Sequence, residues 1–167
     1  MRKLLIAVFV ASVLLTWVSL IYLPPEVAIH FGGKGVPDSW GTREFQAFFF
    51  LAIDLGMFLM FLFIPSLILK LPQKLISMPN RDYWLKEENK AKFKSIFEEL
   101  WWEYGFALLS FLLLTEALTI DANLSSPIQL NYGIFWFLFV VFMAYTILWT
   151  VRICSAFAVP VDGQTQA

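Results

Sequence analysis

Leu4 to Leu23 is an unbroken run of 20 residues without a charge, and it stops at Pro24-Pro25. As a helix it is long enough to cross ~30 Å of hydrocarbon at ~1.5 Å per residue, so the chain is bound to a bilayer from its first segment onward. The composition agrees, with 59% hydrophobic and 15% charged residues and a mean hydropathy of +0.71, outside the range of an ordinary soluble domain. Met1-Arg2-Lys3 is also how a secretory leader opens. However, the apolar run exceeds a signal core and no small-x-small cleavage pattern precedes Pro24, so it reads as a retained span.

Three further stretches have the length and hydropathy of spans: about 47–69 with the single charge Asp54, about 101–121 with Glu103 at its mouth and Glu116 inside, and about 132–151 with none. The expected fold is therefore all-α, a polytopic integral membrane protein with four transmembrane helices (about 4–23, 47–69, 101–121 and 132–151) in one domain over residues 1–154. An outer loop is expected over 24–46 and a short cytoplasmic tail over 155–167. Between spans two and three, Phe93, Ile96, Phe97 and Leu100 recur at i, i+3, i+4 and i+7. That spacing predicts an amphipathic helix over about 82–100, N-capped by Asp82, lying among headgroups between aromatic anchors Tyr83, Trp84, Trp101 and Trp102.

Ten of the twelve Lys and Arg residues flank the chain ends or lie between spans two and three, against Lys34 and Arg43 on the other side. The positive-inside rule then puts both termini and residues 70–100 in the cytoplasm of a bacterial inner membrane, and the 24–46 loop outside. A net charge of −1 without a basic cluster excludes a nucleic-acid partner.

A lone Cys154 excludes an internal disulfide, and no short ligand spacing suggests a zinc or iron-sulfur site. No cofactor is expected. His30, the only histidine, and Cys154 fall on opposite sides of the membrane, so no nucleophile and base can meet. The sequence Gly32-Gly33-Lys34-Gly35 follows no strand signal and precedes no helix start, unlike a phosphate loop. The tripeptide Asn123-Leu124-Ser125 matches a glycosylation sequon, a signal too short to carry weight.

Two stretches carry a resemblance. LPPEVAIHFGGKGVPDSWGTREF (23–45) and MPNRDYWLKEENK (78–90) resemble the two motifs of a bacterial membrane domain of unknown function, number 1648, the amino-terminal membrane part of SdpI-type immunity proteins. The resemblance spans about residues 5–115 and singles out His30, Gly35, Pro37 and Asp38 in the loop. It also singles out Pro79, Asn80, Asp82, Tyr83 and Trp84 in the cytoplasmic motif. It implies a membrane fold and, in the whole immunity proteins, protection against a secreted toxin. Only four spans are read here, so the second half of those proteins is not expected.

The residues themselves point to Asp54 and Glu116. An acid in mid-bilayer costs ~2.5–3.5 kcal/mol on insertion scales, so such groups face the bundle interior and have a partner or a function. Counted from the outer ends of their spans, they lie at similar depths beneath the loop. The pattern suggests a polar pocket of Asp54 and Glu116 roofed by His30 and Asp38, able to take a cation or relay protons, with His30 and Asp54 as candidate metal ligands. Alternatively, His30 and Asp38 pin a glycine-rich turn, and the two acids pair with Lys34 or Arg43. The Asn80-to-Trp84 motif has the same choice, between docking its segment and meeting a soluble partner.

Three functions follow as expectations. The first is a non-enzymatic binding protein, that is a sensor, an immunity-like protein or an accessory subunit, with the bilayer and a membrane-protein partner or second copy as neighbours. The second is a transport or proton/cation relay component built on Asp54 and Glu116. The third is a metal-dependent membrane enzyme around His30.

Overall fold

In hydrocarbon a backbone must satisfy its own hydrogen bonds, and the computed structural model, which describes residues 1–158, answers with four long helices. These are α1 (Arg2–Tyr22), α2 (Arg43–Leu67), α4 (Lys90–Leu124) and α5 (Tyr132–Ala156). A single helical turn, α3 (Arg81–Trp84), precedes α4, and two 3-10 turns (Ile68–Lys70 and Gln73–Leu75) follow α2.

The start of α2 is set by Thr42, whose Oγ1 accepts the N–H of Phe45 at 3.1 Å, and that of α5 by Asn131, whose Oδ1 accepts the N–H of Ile134 at 3.1 Å. At the exit of α1, Arg43 Nη1 donates to the Leu23 carbonyl at 2.9 Å and its N–H reaches the Pro25 carbonyl at 3.2 Å. Arg43 thus caps α1 and is not drawn down to either intramembrane acid.

Helices α1, α2 and α4 pack on one another, and α5 leans on α4. Lipid is as apolar as leucine, so close backbone approach and polar ties, not hydrophobicity, hold such helices together. At Gly105 of α4 a Cβ would collide with the ring of Phe61 on α2, which is why a glycine stands there. Glu103 accepts from Arg152 on α5 through both carboxylate oxygens, and Trp149 Nε1 donates to the Leu100 carbonyl at 3.0 Å.

Two features depart from the sequence expectation. First, the 24–46 loop holds a two-stranded antiparallel hairpin, β1 (Glu26–Phe31) and β2 (Pro37–Thr42). The fold is mostly helical, as expected, and carries this small sheet in its loop. The turn needs Gly35 at φ +76°, and its carbonyl accepts the N–H of Leu130 in the loop between α4 and α5 at 2.9 Å. Pro37 opens β2, where a missing N–H does least harm.

Second, residues 82–100 do not form a separate in-plane helix. Residues 81–84 are one turn, and α4 runs unbroken for 35 residues, ~52 Å by helix rise, through the third span. Its N-cap is Asn89, and Asp82 lies inside α3. The predicted stripe is real but faces protein. Phe93 and Leu100, with Ile96 and Phe97 against them, pack on Ile76, Trp84, Leu85 and Phe157. Of the tail expected over 155–167, Ser155 and Ala156 belong to α5 and Phe157 is buried. Its remainder lies outside the described residues.

The chain ends near α1 and α5 therefore share one end of the bundle with residues 68–90, here the terminal face. The hairpin and the 125–131 loop share the other, the hairpin face.

Candidate functional site

The site is built from one face of each of three helices. On α1 the interior face is made of Ser12, Thr16 and Ser19, all buried at i, i+4 and i+7, and on α2 it includes Gln46 and Asp54. On α4, Glu116, Thr119 and Asn123 are buried in the same direction. Small hydroxyl residues let α1 come close enough for α2 and α4 to place their acids in the interior.

Asp54 and Glu116 are each 1% exposed. Thr16 Oγ1 donates to Glu116 Oε1 at 2.7 Å, while Glu116 Oε2, both oxygens of Asp54 and Ser12 Oγ have no hydrogen-bond partner among the described residues. The two carboxyls stand on α2 and α4, which pack on each other and on α1. A native structure rarely leaves such groups unpaired, and each one asks for a proton, an ion or a function.

His30 and Asp38 do not join them. His30 Nδ1 and Asp38 Oδ1 hydrogen-bond each other on the outer surface of the hairpin, their side chains 69% and 51% exposed. They pin the strands across the turn, and of the two only His30 lines the crevice that opens beneath the hairpin. His30 and Asp54 are thus not brought together as metal ligands, and no three His, Cys, Asp or Glu side chains among the described residues converge on a point that suits a metal.

Between hairpin and acids lies a crevice of about 240 Å³ lined by Ile29, His30, Phe45, Gln46, Phe49, Phe50 and Thr119. The buried Gln46 Oε1 has no partner there among the described residues. On the far side of the acids the packing is mostly apolar, with Trp101 Nε1 and Trp102 Nε1 buried and without a partner among the described residues. Leu5, Val8, Phe61 and Leu109 are buried together, and Phe9 stacks on Phe58 with ring centroids 4.2 Å apart.

Asn123 fastens the hairpin to this frame. The Ala28 N–H donates to Asn123 Oδ1 at 2.7 Å, and Asn123 Nδ2 donates to the Ala28 and Thr119 carbonyls, both at 3.0 Å. Its side chain acts as a strand partner for β1, with no room for a glycan.

The Asn80-to-Trp84 motif docks a helix end. Asn80 Nδ2 and Trp84 Nε1 both donate to the Phe157 carbonyl at 2.9 Å, from a turn in which Asn80 has φ 52°. Tyr83 packs edge-on to Trp84, and its carbonyl accepts from Asn89 Nδ2. Pro79 lines the groove beside Phe157, and Asp82 pairs with Arg81 at the surface. The motif therefore ties α3 to the end of α5, a contact not expected from sequence.

Ser12, Thr16, Ser19 and Gln46 were not singled out from sequence, and Asn123 was noted only as part of a sequon, not as a tie to the hairpin. The first three carried a readable signal, hydroxyls at helical spacing on one face of an otherwise apolar span. Gln46 and Asn123 carried none.

No curated protein matches the chain, and no solved structure does. The family comparison is narrower than the resemblance over residues 5–115, since it includes neither Asp54, Glu116 nor the Asn80-to-Trp84 motif. What it does cover is α1 from Ala7, the whole hairpin and the first turns of α2: residues 7–53 match the family described as Domain of unknown function (DUF1648).

Proposed function

We propose that this protein is a non-enzymatic, multi-pass protein of a bacterial inner membrane that acts by binding, with Asp54 and Glu116 as an internal site for a proton or small monovalent cation. The observation that carries this reading is Asp54, buried on α2 with neither oxygen bonded among the described residues, together with Glu116, buried on the packed helix α4 with Oε2 likewise unbonded. Two acids so placed repel each other, and a single positive charge between them removes both the repulsion and the unmet acceptors. Ser12 and Thr16 supply further oxygens for such a guest, and oxygen-only surroundings suit a hard cation or a proton better than a transition metal.

Binding of this kind suits a sensor or an immunity-like protein, and the same pair would equip a relay component of a transporter. A membrane accessory role has its own support in α5, whose apolar side chains, among them Trp136, Phe137, Val140 and Leu148, are exposed on the bundle surface. Co-purification of a second membrane protein, or of a second copy, in mild detergent checks that role. Loss of either after substituting Phe137 and Leu148 by Ala would place the contact on α5.

The test of the ion reading is thermal unfolding of the purified protein in detergent across sodium, potassium and pH. Wild type is expected to gain stability with one of these, and Asp54→Asn and Glu116→Gln to lose that dependence. Identical responses in all three proteins would refute it.

A further inference from the structure

We infer that the Asp54–Glu116 site exchanges its proton or cation with the hairpin face alone, through the crevice between β1, α2 and α4, with Gln46 and Thr119 as the polar steps along it. The inference rests on the binding reading above and adds a direction to it.

The two ends of the interior differ in chemistry. Toward the hairpin face, polar groups follow one another: His30 at the mouth, then Gln46 with a buried Oε1 unpartnered among the described residues, then Thr119 in the wall. Thr119 lies three residues from Glu116 on the same buried face of α4, ~4.5 Å along the axis, so the crevice wall ends one turn above the acid. Gln46 lies eight residues above Asp54 on the buried face of α2, ~12 Å along the axis. A side-chain amide can pass a partly stripped cation or order a water, because it offers an oxygen and two N–H groups at once.

Toward the terminal face the unpartnered buried polar atoms among the described residues are two indole N–H donors, Trp101 Nε1 and Trp102 Nε1, and neither offers an oxygen. Phe61 stands seven residues from Asp54 on α2 and Leu109 seven from Glu116 on α4, and both are fully buried with Leu5 and Val8 of α1. Phe61 is also pressed against Gly105 and the Trp101 ring, centroids 5.1 Å apart. A layer two turns deep of packed aliphatic and aromatic groups gives an ion no oxygen to exchange for its hydration. Few other charges bear on the path. On α1 no acid or base stands between Lys3 and Tyr22. On α2, Arg43 pairs with Glu44 at the outer end, on α4 Asp121 is exposed, and on the hairpin His30 is held by Asp38. One-sided access separates a sensor of the hairpin side from a conduit, which needs both sides in turn.

The test is accessibility of single cysteines in a Cys154→Ser background, using a membrane-impermeant cationic thiosulfonate applied to sealed vesicles of either orientation. Gln46→Cys and Thr119→Cys are expected to be modified from the hairpin face only, and Leu109→Cys from neither. Having two crevice positions guards against one variant misfolding. No modification at either, or modification of any of the three from the terminal face, overturns the route. If 46 and 119 react from the hairpin face while unfolding of the parent is indifferent to ions and pH, the route stands and the binding reading falls.

Discussion

Glu116 has a donor in Thr16, whereas Asp54 has none among the described residues, so the two acids differ in what their removal does. Without sodium or potassium, and at a pH where the pair is ionised, Asp54→Asn removes a buried charge and is expected to raise thermal stability. Glu116→Gln keeps an acceptor for Thr16 and also ends the repulsion, so the second neutralisation gains less than the first. A double-mutant cycle of unfolding energies should therefore show a coupling of about 0.5–3 kcal/mol, and additive effects would mean two unrelated acids. At the hairpin, Asn123→Ala strips β1 of both its side-chain bonds, at a cost of about 1–3 kcal/mol. Amide exchange over residues 26–42 should speed up in that variant while α2 stays protected. The acids were legible because a charge inside an apolar run is conspicuous. Gln46 and Asn123 were not, since their importance comes from a neighbour about a hundred residues away or from a crevice, neither of which leaves a local mark.

Helices α2 and α4 meet where Gly105 lies against Phe61, and the bundle depends on that small residue. Gly105→Val is expected to push the pair apart and destabilise the protein by about 1–3 kcal/mol, as overpacking does. Gly56, with open space around it, is the control: Gly56→Ala should leave the melting temperature unchanged or raise it. At the terminal face, Trp84→Phe keeps the ring against Phe157 but deletes one of the two N–H groups on its carbonyl, so exchange at the end of α5 should rise. The spans could be read from sequence because a stretch of about twenty residues with at most one or two charges has one physical meaning. The hairpin could not, because its strands are six residues each and a two-stranded ribbon gains its stability from α4, not from its own pattern. The unbroken α4 was misread for a related reason. Its stripe of Phe93, Ile96, Phe97 and Leu100 fits headgroups and protein equally well, and only the packing of Trp84 and Phe157 against it decides.

For the molecule as a whole, the bundle has a polar half and a sealed half, and its ends differ equally in charge. Arg2, Lys3, Arg152 and the lysines of residues 70–94 gather at the terminal face, which by the positive-inside rule is expected to be cytoplasmic. In cells, a thiol introduced by Ser39→Cys with Cys154→Ser should react with an impermeant reagent without permeabilisation, and reaction only afterwards would reverse the orientation. Binding inside such a bundle must appear as stability, about 2.7 kcal/mol at a hundred times the dissociation constant. The most direct measurement is infrared spectroscopy of the carboxyl C=O region in reconstituted protein while pH and then sodium or potassium are varied. The account predicts a buried carboxyl band that responds to one of them, shifts in deuterated buffer if a proton is the guest, and disappears in Asp54→Asn or Glu116→Gln. A spectrum that responds identically in wild type and both variants would contradict it.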